Sequence, residues 1–344
     1  RFYSAHYSTT RTAQFSVSPM NHIACVLHWQ VISTVLKAQT VERQVAFQSH
    51  QCRLLTSGMT IDKPLRYEEP AMLVDSHFHL DKVLGRSGYT NWDDLQRDLQ
   101  GRGHLELVVA NYVFPQDWCK WDRQIGSSSY LKVSFGLHPH VVCDAPYEIL
   151  DKLGMLASLP QWCAIGEAGV DLTKKCHCSP CGDPYECRHT LLRKQLDFLS
   201  EALQIARSLG KPVILHCRDD GSEEAAAQTL PTIQMMDRSD HVFHLHCFTG
   251  EAQELRQWQK KLPHTKFGVT MKSIQDPRTV ALIPPERLLL ETDAPYLPPA
   301  PGCRLNHPWN VLSLAKQVAF IRNTPPSLLL KVANANAMDI YGCP

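Results

Sequence analysis

Short apolar runs alternate with segments of helical periodicity along the greater part of this chain. The apolar runs have the length of buried strands, and they lie near 71–75, 105–110, 131–136, 162–167, 212–216, 241–246, 265–269 and 287–292. Segments with apolar residues at three- and four-residue spacing separate these runs or follow the last one, at 92–99, 147–156, 189–209, 223–236, 251–262, 308–321 and 327–340. Because strand and helix patterns alternate, the sequence predicts βα units and a parallel sheet of eight strands.

Five of the predicted strands are followed at their carboxyl ends by residue types that bind metal ions. These residues are His77 and His79 after the first strand, Glu167 after the fourth, His216 after the fifth, His246 after the sixth and Asp293 after the eighth. Parallel strands that collect functional groups at their carboxyl ends are typical of a TIM barrel. The sequence therefore predicts an α/β fold, a (β/α)8 TIM barrel of the metal-dependent hydrolase type, with metal-assisted hydrolysis as its chemistry.

The pair His77 and His79 lies two residues apart, so on a strand both imidazoles point to the same face and can share a cation. With 17 histidines in the chain, such a pair alone is a weak signal. Asp75 just before it and the later ligand residues strengthen the metal interpretation over that of buried structural histidines.

Glu167 follows Ile165 and Gly166 at the fourth strand. A carboxylate there can bridge two cations, because each of its oxygens can serve a different metal. A buried salt bridge is the alternative. No lysine is available at that strand end to take the bridging role in a modified form, so we predict Glu167 as the bridge.

Six motifs occur in one order along the chain. They are Val-Asp-Ser-His-Phe-His-Leu-Asp at 74–81, Gly-Leu-His-Pro-His at 136–140, Ile-Gly-Glu-Ala-Gly-Val-Asp at 165–171, Leu-His-Cys-Arg-Asp at 215–219, His-Cys-Phe-Thr-Gly at 246–250 and Leu-Glu-Thr-Asp-Ala-Pro-Tyr-Leu at 290–297. Together they resemble the TatD family of metal-dependent hydrolases, whose members are deoxyribonucleases or related phosphodiesterases. The resemblance covers about 71–342.

The resemblance implies two divalent metal ions. His77, His79, Glu167 and Asp293 would hold one, and Glu167, His216 and His246 the other. Two cations about 4 Å apart can polarise a phosphoryl oxygen, activate a water and stabilise the leaving oxygen. Asp293 would orient or deprotonate that water, or it would act only as a ligand. Asp293 and the bridging Glu167 are therefore the predicted catalytic residues. The resemblance favours Mg²⁺ or Mn²⁺, whereas the imidazole ligands also suit Zn²⁺.

Two further residues are candidates for contacts with the substrate. His138, in the motif that closes the third strand, could donate to phosphate oxygens, and a capping or core role is the alternative. Arg218 offers a guanidinium group that fits phosphate, with a salt bridge to Asp219 or Asp220 as the alternative.

The resemblance implies hydrolysis of phosphodiester bonds in DNA, at single-stranded or frayed ends, in the manner of a 3'-5' exonuclease. An amidohydrolase acting on a small amide, lactone or phosphoester is the first alternative, because one ligand set supports both chemistries. A barrel that binds nucleic acid or a partner without catalysis is the second. Two departures bear on the substrate. Leu172 stands where the family has an aromatic residue, and 306–308 reads Asn-His-Pro where the family has Asn-Glu-Pro.

The amino-acid composition limits which binding partners and which cellular compartment we expect for this protein. The net charge of +1 excludes a broad basic surface for long duplexes, so we expect local nucleic-acid contacts. The apolar stretch 23–36 is too short to span a bilayer, and no protein partner is evident. Thirteen cysteines, an odd number with several in predicted strands, favour an intracellular protein of the cytoplasm or nucleus.

The first 70 residues carry no complete βα pattern. We therefore expect an N-terminal extension over 1–70, poorly ordered, followed by the hydrolase domain over 71–342. Residues 1–41 lack Asp and Glu, and this composition resembles that of an organellar transit peptide. A mitochondrial location is therefore an alternative, and a fragment or ill-defined extension is another.

A cysteine-rich segment follows the fourth strand. Its thiols could bind a structural zinc, with disulfide or redox chemistry and ordinary free thiols as alternatives. The residues concerned are Cys176, Cys178, Cys181 and Cys187.

Overall fold

The structure is a computed structural model. It describes residues 72–99, 102–146, 148–156, 159–173, 184–236, 241–300, 302–303 and 305–342, with the backbone alone at 184–186. The expectation of a poorly ordered extension over 1–70 lies outside these residues. Three of the four cysteines in the predicted zinc site also lie outside these residues, namely Cys176, Cys178 and Cys181.

All eight predicted strands are confirmed, and they form one parallel sheet in chain order. The strands are β1 (Met72–Phe78), β2 (His104–Tyr112), β3 (Leu131–Phe135), β4 (Trp162–Asp171), β5 (Val213–Arg218), β6 (Phe243–Leu245), β7 (Thr265–Val269) and β8 (Leu288–Leu290). Helices alternate with them, which confirms the (β/α)8 TIM barrel. Each strand is buried almost throughout, as parallel strands covered by helices require.

The helices are α1 (Leu80–Ser87), α2 (Trp92–Asp98), α3 (Trp121–Gln124), α4 (Ile149–Met155), α5 (Pro184–Leu209), α6 (Glu224–Met236), α7 (Ala252–Lys261), α8 (Pro277–Leu282), α9 (Val311–Ile321) and α10 (Pro326–Tyr341). Of these, α1, α3 and α8 are short and were not predicted. The predicted helix 308–321 begins as a 3-10 turn, Pro308–Asn310, and becomes α9 at Val311. Among the described residues, no helix is both long and apolar enough to cross a lipid bilayer.

The predicted end of the fourth strand was wrong. β4 continues past Glu167 to Asp171, because a bulge between Gly166 and Ala168 leaves Glu167 without a partner residue on β5. A side chain on Gly169 (φ 146°) would lie 2.1 Å from the carbonyl oxygen of His216, so only glycine lets the two strands come this close. Bulges of this kind redirect a side chain beside an active site.

Side chains join β1 to the chain that follows β8 and close the barrel. The carboxylate of Asp75 accepts hydrogen bonds from the N–H (2.9 Å) and the hydroxyl (2.6 Å) of Thr292, and Ser76 Oγ donates to the Leu290 carbonyl at 3.0 Å. Burial raises the pKa of Asp75 well above its usual value. Asp75 therefore ties the two ends of the sheet together beneath the histidine pair.

Helix α10 covers the amino-terminal end of the barrel. Asn334 donates to the Met72 carbonyl at 2.9 Å and Asn336 to the Leu288 carbonyl at 2.9 Å, which are the first residues of β1 and β8. Ala337 and Tyr341 of the same helix pack into the cluster of apolar residues inside the barrel. The opposite, carboxyl-terminal end is the one that carries the predicted ligands.

Candidate active site

Six side chains from five βα units converge at the carboxyl-terminal end of the barrel. Their nitrogen and oxygen atoms form groups of three within 4.8 Å, among them one of His77, His79 and Asp293 and another of Glu167, His216 and His246. All six predicted metal ligands therefore meet in one place. Their role as ligands stays a prediction.

Glu167 lies at the centre of this cluster, with its two oxygens directed to different neighbours. Oε1 is 3.4 Å from Nε2 of His77 and 3.6 Å from Nε2 of His79, whereas Oε2 is 2.6 Å from Nδ1 of His216. Burial opposes ionisation, but the hydrogen bond from His216 and the imidazoles of His77 and His246 hold the pKa of Glu167 well below its usual value. The carboxylate is therefore charged and faces both halves of the cluster.

Asp293 is the most open of the six side chains, at 14% exposed, whereas the others do not exceed 7%. Its Oδ1 lies 3.2 Å from Nε2 of His79 and 3.8 Å from Nε2 of His246. Its backbone has φ 52°, in the left-handed region that Asp tolerates better than most residues, and its N–H donates to the His77 carbonyl at 3.0 Å. Asp293 can thus reach both the cluster and the solvent.

Buried atoms at the centre of the cluster fit a cation. Neither His77 Nε2 nor Glu167 Oε1 has a hydrogen-bond partner among the described residues, although both are fully buried. Burial and the neighbouring His246 lower the pKa of His77 to about 4, so its ring is neutral at physiological pH and can offer a lone pair. Neutral imidazoles and ionised carboxylates are the forms that bind metals, and unpaired buried atoms of these types are rare without such a partner.

Each of two histidine rings is held on its far side by a carboxylate. Asp171 Oδ2 lies 2.9 Å from His216 Nε2, and Glu291 Oε1 lies 3.0 Å from His246 Nδ1. A carboxylate beside one ring nitrogen selects the tautomer in which that nitrogen carries the hydrogen. Nδ1 of His216, which lies against Glu167, and Nε2 of His246 are therefore the nitrogens that face the cluster. Burial lowers the pKa of His216, but its hydrogen bonds to Asp171 and Glu167 outweigh this and raise it, so Nδ1 would give up its hydrogen only to a bound cation.

His138 lies beside the cluster with its tautomer set by the backbone. The N–H of His140 donates to His138 Nδ1 at 3.1 Å, so the hydrogen of the neutral ring is on Nε2, which is 4.0 Å from Glu167 Oε2. Burial, followed by the proximity of His216, lowers the pKa of His138 to about 3. His138 is therefore a neutral donor at this position, whereas a metal ligand would need a lone pair there.

Arg218 does not form the salt bridge that the sequence left open. Its Nη1 donates to Thr249 Oγ1 at 3.0 Å. Asp219 accepts three backbone N–H groups at the start of α6, and Asp220 pairs with Arg188. The guanidinium of Arg218 therefore stays at the end of β5 without a salt bridge to either residue, and Asp171 and Asp293 are the carboxylates near it.

Several residues of the site were missed in the sequence analysis. Asp171 and Glu291 stand within the quoted motifs at 165–171 and 290–297, so their position in a motif was the available signal. The stack of Arg86 on Tyr296, with 4.7 Å between guanidinium and ring centroid, had no local signal. The ring of Tyr296 in turn meets the ring of His79 edge to face at 5.6 Å.

Of the four cysteines proposed for a structural zinc, only Cys187 is among the described residues, where it lies partly buried in α5. The proposed zinc site therefore stays a prediction.

Comparison with known proteins places this site in a family. The family model described as TatD related DNase matches residues 74–342. The human 3'-5' RNA nuclease TATDN2 is 27% identical over 297 residues, 81% of this chain and 36% of that protein. The uncharacterized metal-dependent hydrolase YcfH of Escherichia coli K12 is 30% identical over 278 residues, 78% of this chain and 95% of YcfH.

Two more similarities extend this result. The 3'-5' ssDNA/RNA exonuclease TatD of Cronobacter sakazakii is 34% identical over 218 residues, 60% of this chain and 75% of that protein. The solved structure of a TatD family hydrolase from Entamoeba histolytica superimposes with a TM-score of 0.64 at 19% identity, over 79% of this chain and 98% of that one, and it supports the fold alone. With its eight-stranded barrel and its cluster of predicted ligands, the chain belongs to the family of TatD-related deoxyribonucleases, metal-dependent hydrolases that act on ester bonds.

Proposed function

We propose that this chain is a two-metal exonuclease that hydrolyses phosphodiester bonds from the 3' end of single-stranded DNA or RNA, frayed ends of duplex DNA included. The observation that carries the proposal is the arrangement around Glu167, whose two oxygens face different groups of ligands. The similarity to TATDN2, a 3'-5' RNA nuclease, and to the Cronobacter 3'-5' ssDNA/RNA exonuclease TatD supports the substrate class and the polarity.

The proposed ligands divide into two sets that share Glu167. His77, His79, Glu167 and Asp293 would hold one ion, and Glu167, His216 and His246 the other. When bound, two divalent ions would withdraw charge from the scissile phosphate and make a water acidic enough to attack it. Mg²⁺ or Mn²⁺ suits the carboxylates best, and Zn²⁺ is the alternative that the imidazoles allow.

Asp293 would orient the attacking water and accept its proton. Three features support this role. Its side chain is ionised, because the neighbouring imidazoles offset the effect of burial and keep its pKa below the usual value. It is the most exposed of the six, and its Oδ1 points into the cluster between His79 and His246. Geometry within hydrogen-bond reach is the first requirement for a general base.

His138 and Arg218 would bind the phosphate. His138 Nε2–H is a neutral donor beside Glu167, and a neutral donor can approach a phosphate oxygen without competing for the metals. Among the described residues Arg218 forms no salt bridge, and its guanidinium donates to Thr249, although Asp171 and Asp293 are near enough to favour its charged form. Two such donors beside the cluster would orient the scissile group.

Arg86 on α1 would bind the strand next to the scissile phosphate. Its guanidinium lies over the ring of Tyr296, which is 38% exposed and contacts His79. A guanidinium held in this way can pair with a backbone phosphate or stack on a nucleobase, and both occur in single-strand binding sites.

An intracellular location, in the cytoplasm or nucleus, is part of the proposal. Cys247 is a buried thiol, Cys217 is a partly buried one, and Cys119 is an exposed one. Thiols at the surface persist in reducing compartments.

The decisive experiment compares nucleic acids with small substrates. Purified full-length protein is stripped with a chelator and supplied with Mg²⁺ or Mn²⁺, then tested on 5'-labelled single-stranded DNA and RNA and on a panel of small amides, lactones and phosphoesters. We expect progressive shortening of the oligonucleotides from the 3' end, abolished by the chelator and restored by either ion. Hydrolysis of a small amide or lactone without oligonucleotide cleavage would instead establish an amidohydrolase. Oligonucleotide binding without cleavage of any substrate would establish a catalytically inactive nucleic-acid-binding barrel.

A further inference from the structure

A line of buried polar side chains crosses the barrel interior from the last helix to the proposed ligand His246. Tyr341 Oη, at the end of α10, lies 2.7 Å from His244 Nδ1. His244 Nε2 lies 2.8 Å from Glu291 Oε2, and Glu291 Oε1 lies 3.0 Å from His246 Nδ1. None of these four residues is more than 3% exposed. Polar groups buried this deeply are costly unless their partners are fixed.

The carboxylate of Glu291 occupies a position that the surrounding backbone shapes. Cys247 N–H donates to Oε1. On the neighbouring strand β7, a side chain added at Gly268 would come within 2.4 Å of Oε2, so glycine leaves the room that the carboxylate fills. The point from which Glu291 acts on His244 and His246 is therefore set by β6 and β7.

The carboxylate determines where the hydrogens of both rings lie. The contacts of Glu291 with His244 Nε2 and His246 Nδ1 are bent rather than linear. A nitrogen lone pair about 3 Å from a carboxylate oxygen would nevertheless be repelled by its negative charge. Both of these nitrogens therefore carry hydrogens. His246 then has its lone pair on Nε2, the nitrogen that faces Asp293 at 3.8 Å. His244 has its own lone pair on Nδ1, which accepts the hydroxyl hydrogen of Tyr341.

We propose that Tyr341 and His244 are positioning residues for the metal-binding nitrogen of His246. By donating to His244, the Tyr341 hydroxyl keeps that ring in the tautomer that holds Glu291, and Glu291 in turn keeps Nε2 of His246 free for the cation. The helix that closes the amino-terminal end of the barrel thereby supports the site at the opposite end. This proposal rests on the assignment of His246 as a ligand, which is part of the proposed function.

The test measures metal binding, so it does not depend on the substrate. Metal-stripped full-length protein is titrated with Mn²⁺ in a calorimeter, for the wild type, Tyr341→Phe, His244→Gln and the control Tyr112→Phe. Tyr112 is a matched control because its buried hydroxyl also makes one hydrogen bond, to Gln124 at 2.9 Å, and lies in no contact with the cluster. Thermal unfolding of each metal-free variant is recorded in parallel.

Outer partners of ligands commonly contribute about 10- to 100-fold to metal affinity, so we expect His244→Gln to weaken Mn²⁺ binding at least tenfold. Tyr341→Phe, one step further away, should weaken it about threefold, while its activity recovers when Mn²⁺ is raised. Tyr112→Phe should bind Mn²⁺ as the wild type does, although the two phenylalanine variants lose similar stability.

Equal Mn²⁺ affinities of Tyr341→Phe and Tyr112→Phe would overturn the proposal, whether both are unchanged or both reduced. If His244→Gln does not fold, this comparison alone decides. If the wild type binds Mn²⁺ but cleaves no nucleic acid, the proposed function fails while the positioning of His246 is still measured. If the wild type binds no Mn²⁺, both fail together.

Discussion

Asp171 Oδ2 lies 2.9 Å from Nε2 of His216 and thereby determines which nitrogen of that ring faces the site. The opposite nitrogen, Nδ1, is 2.6 Å from Glu167. Asp171 is itself held by Thr173, whose N–H and hydroxyl both bond to its Oδ1, and Oδ2 also lies 3.0 Å from His140 Nε2. A carboxylate outside the predicted ligand set therefore orients one of the predicted ligands, His216.

Replacing Asp171 with Asn should preserve the fold and weaken metal binding. The amide has the volume of the carboxylate, but it can present N–H instead of an acceptor to His216, which removes the preference for one tautomer. Loss of such an outer partner costs about 10- to 100-fold in metal affinity. Calorimetric titration with Mn²⁺ measures the effect, with Asp197→Asn on the exposed side of α5 as the control. Wild-type affinity in the Asp171 variant would contradict this role.

Replacing Glu167 with Gln should leave the fold intact and lower kcat by at least about 10²-fold, because a neutral amide bridges two cations poorly. Steady-state cleavage of a labelled oligonucleotide at saturating Mg²⁺ gives kcat, and circular dichroism checks the fold. The control Glu286→Gln makes the same change at an exposed position. Turnover close to that of the wild type would show that Glu167 is not the bridge.

Replacing Arg86 with Ala should weaken the binding of a strand without affecting the reaction itself. We expect the KM for a single-stranded oligonucleotide to rise about tenfold, since one stacked or paired group in such sites contributes roughly 1–3 kcal/mol. The slope of log affinity against log salt should fall by about one if Arg86 pairs with a phosphate. A dinucleotide substrate that ends before Arg86 should show unchanged kcat/KM.

The control for this experiment is Arg97→Ala, an exposed arginine of α2 that, within the described part of the chain, forms a salt bridge only with Asp94 three residues earlier. If both arginine variants change the KM equally, the effect is one of overall charge. An unchanged KM in Arg86→Ala alone would remove Arg86 from the binding surface.

Deleting residues 1–65 should leave a folded and active enzyme. The first strand begins at Met72, and the match to the family model begins at residue 74. The truncated protein should therefore keep a single cooperative thermal transition and its turnover on oligonucleotides. Aggregation, or loss of the transition, would mean that the barrel requires this segment.

The sequence by itself determined the order of the strands and the strand ends at which the predicted ligands lie. Each strand is a local apolar run, and in a parallel barrel every strand carries its carboxyl end to the same rim. His77, Glu167 and Asp293 could therefore be placed together although more than 80 residues separate neighbours among them in the chain. The family motifs at these strand ends supplied the chemistry.

Only the tertiary structure decided how those ligands are held. The bulge at Glu167 depends on how closely β4 approaches β5, which no periodicity encodes. The contact between His244 and Tyr341 joins residues 97 positions apart. Tautomers depend on which atom lies 3 Å from a ring nitrogen, and such distances arise from packing between strands. Local pattern specifies the elements, whereas long-range packing specifies the state of each side chain in the site.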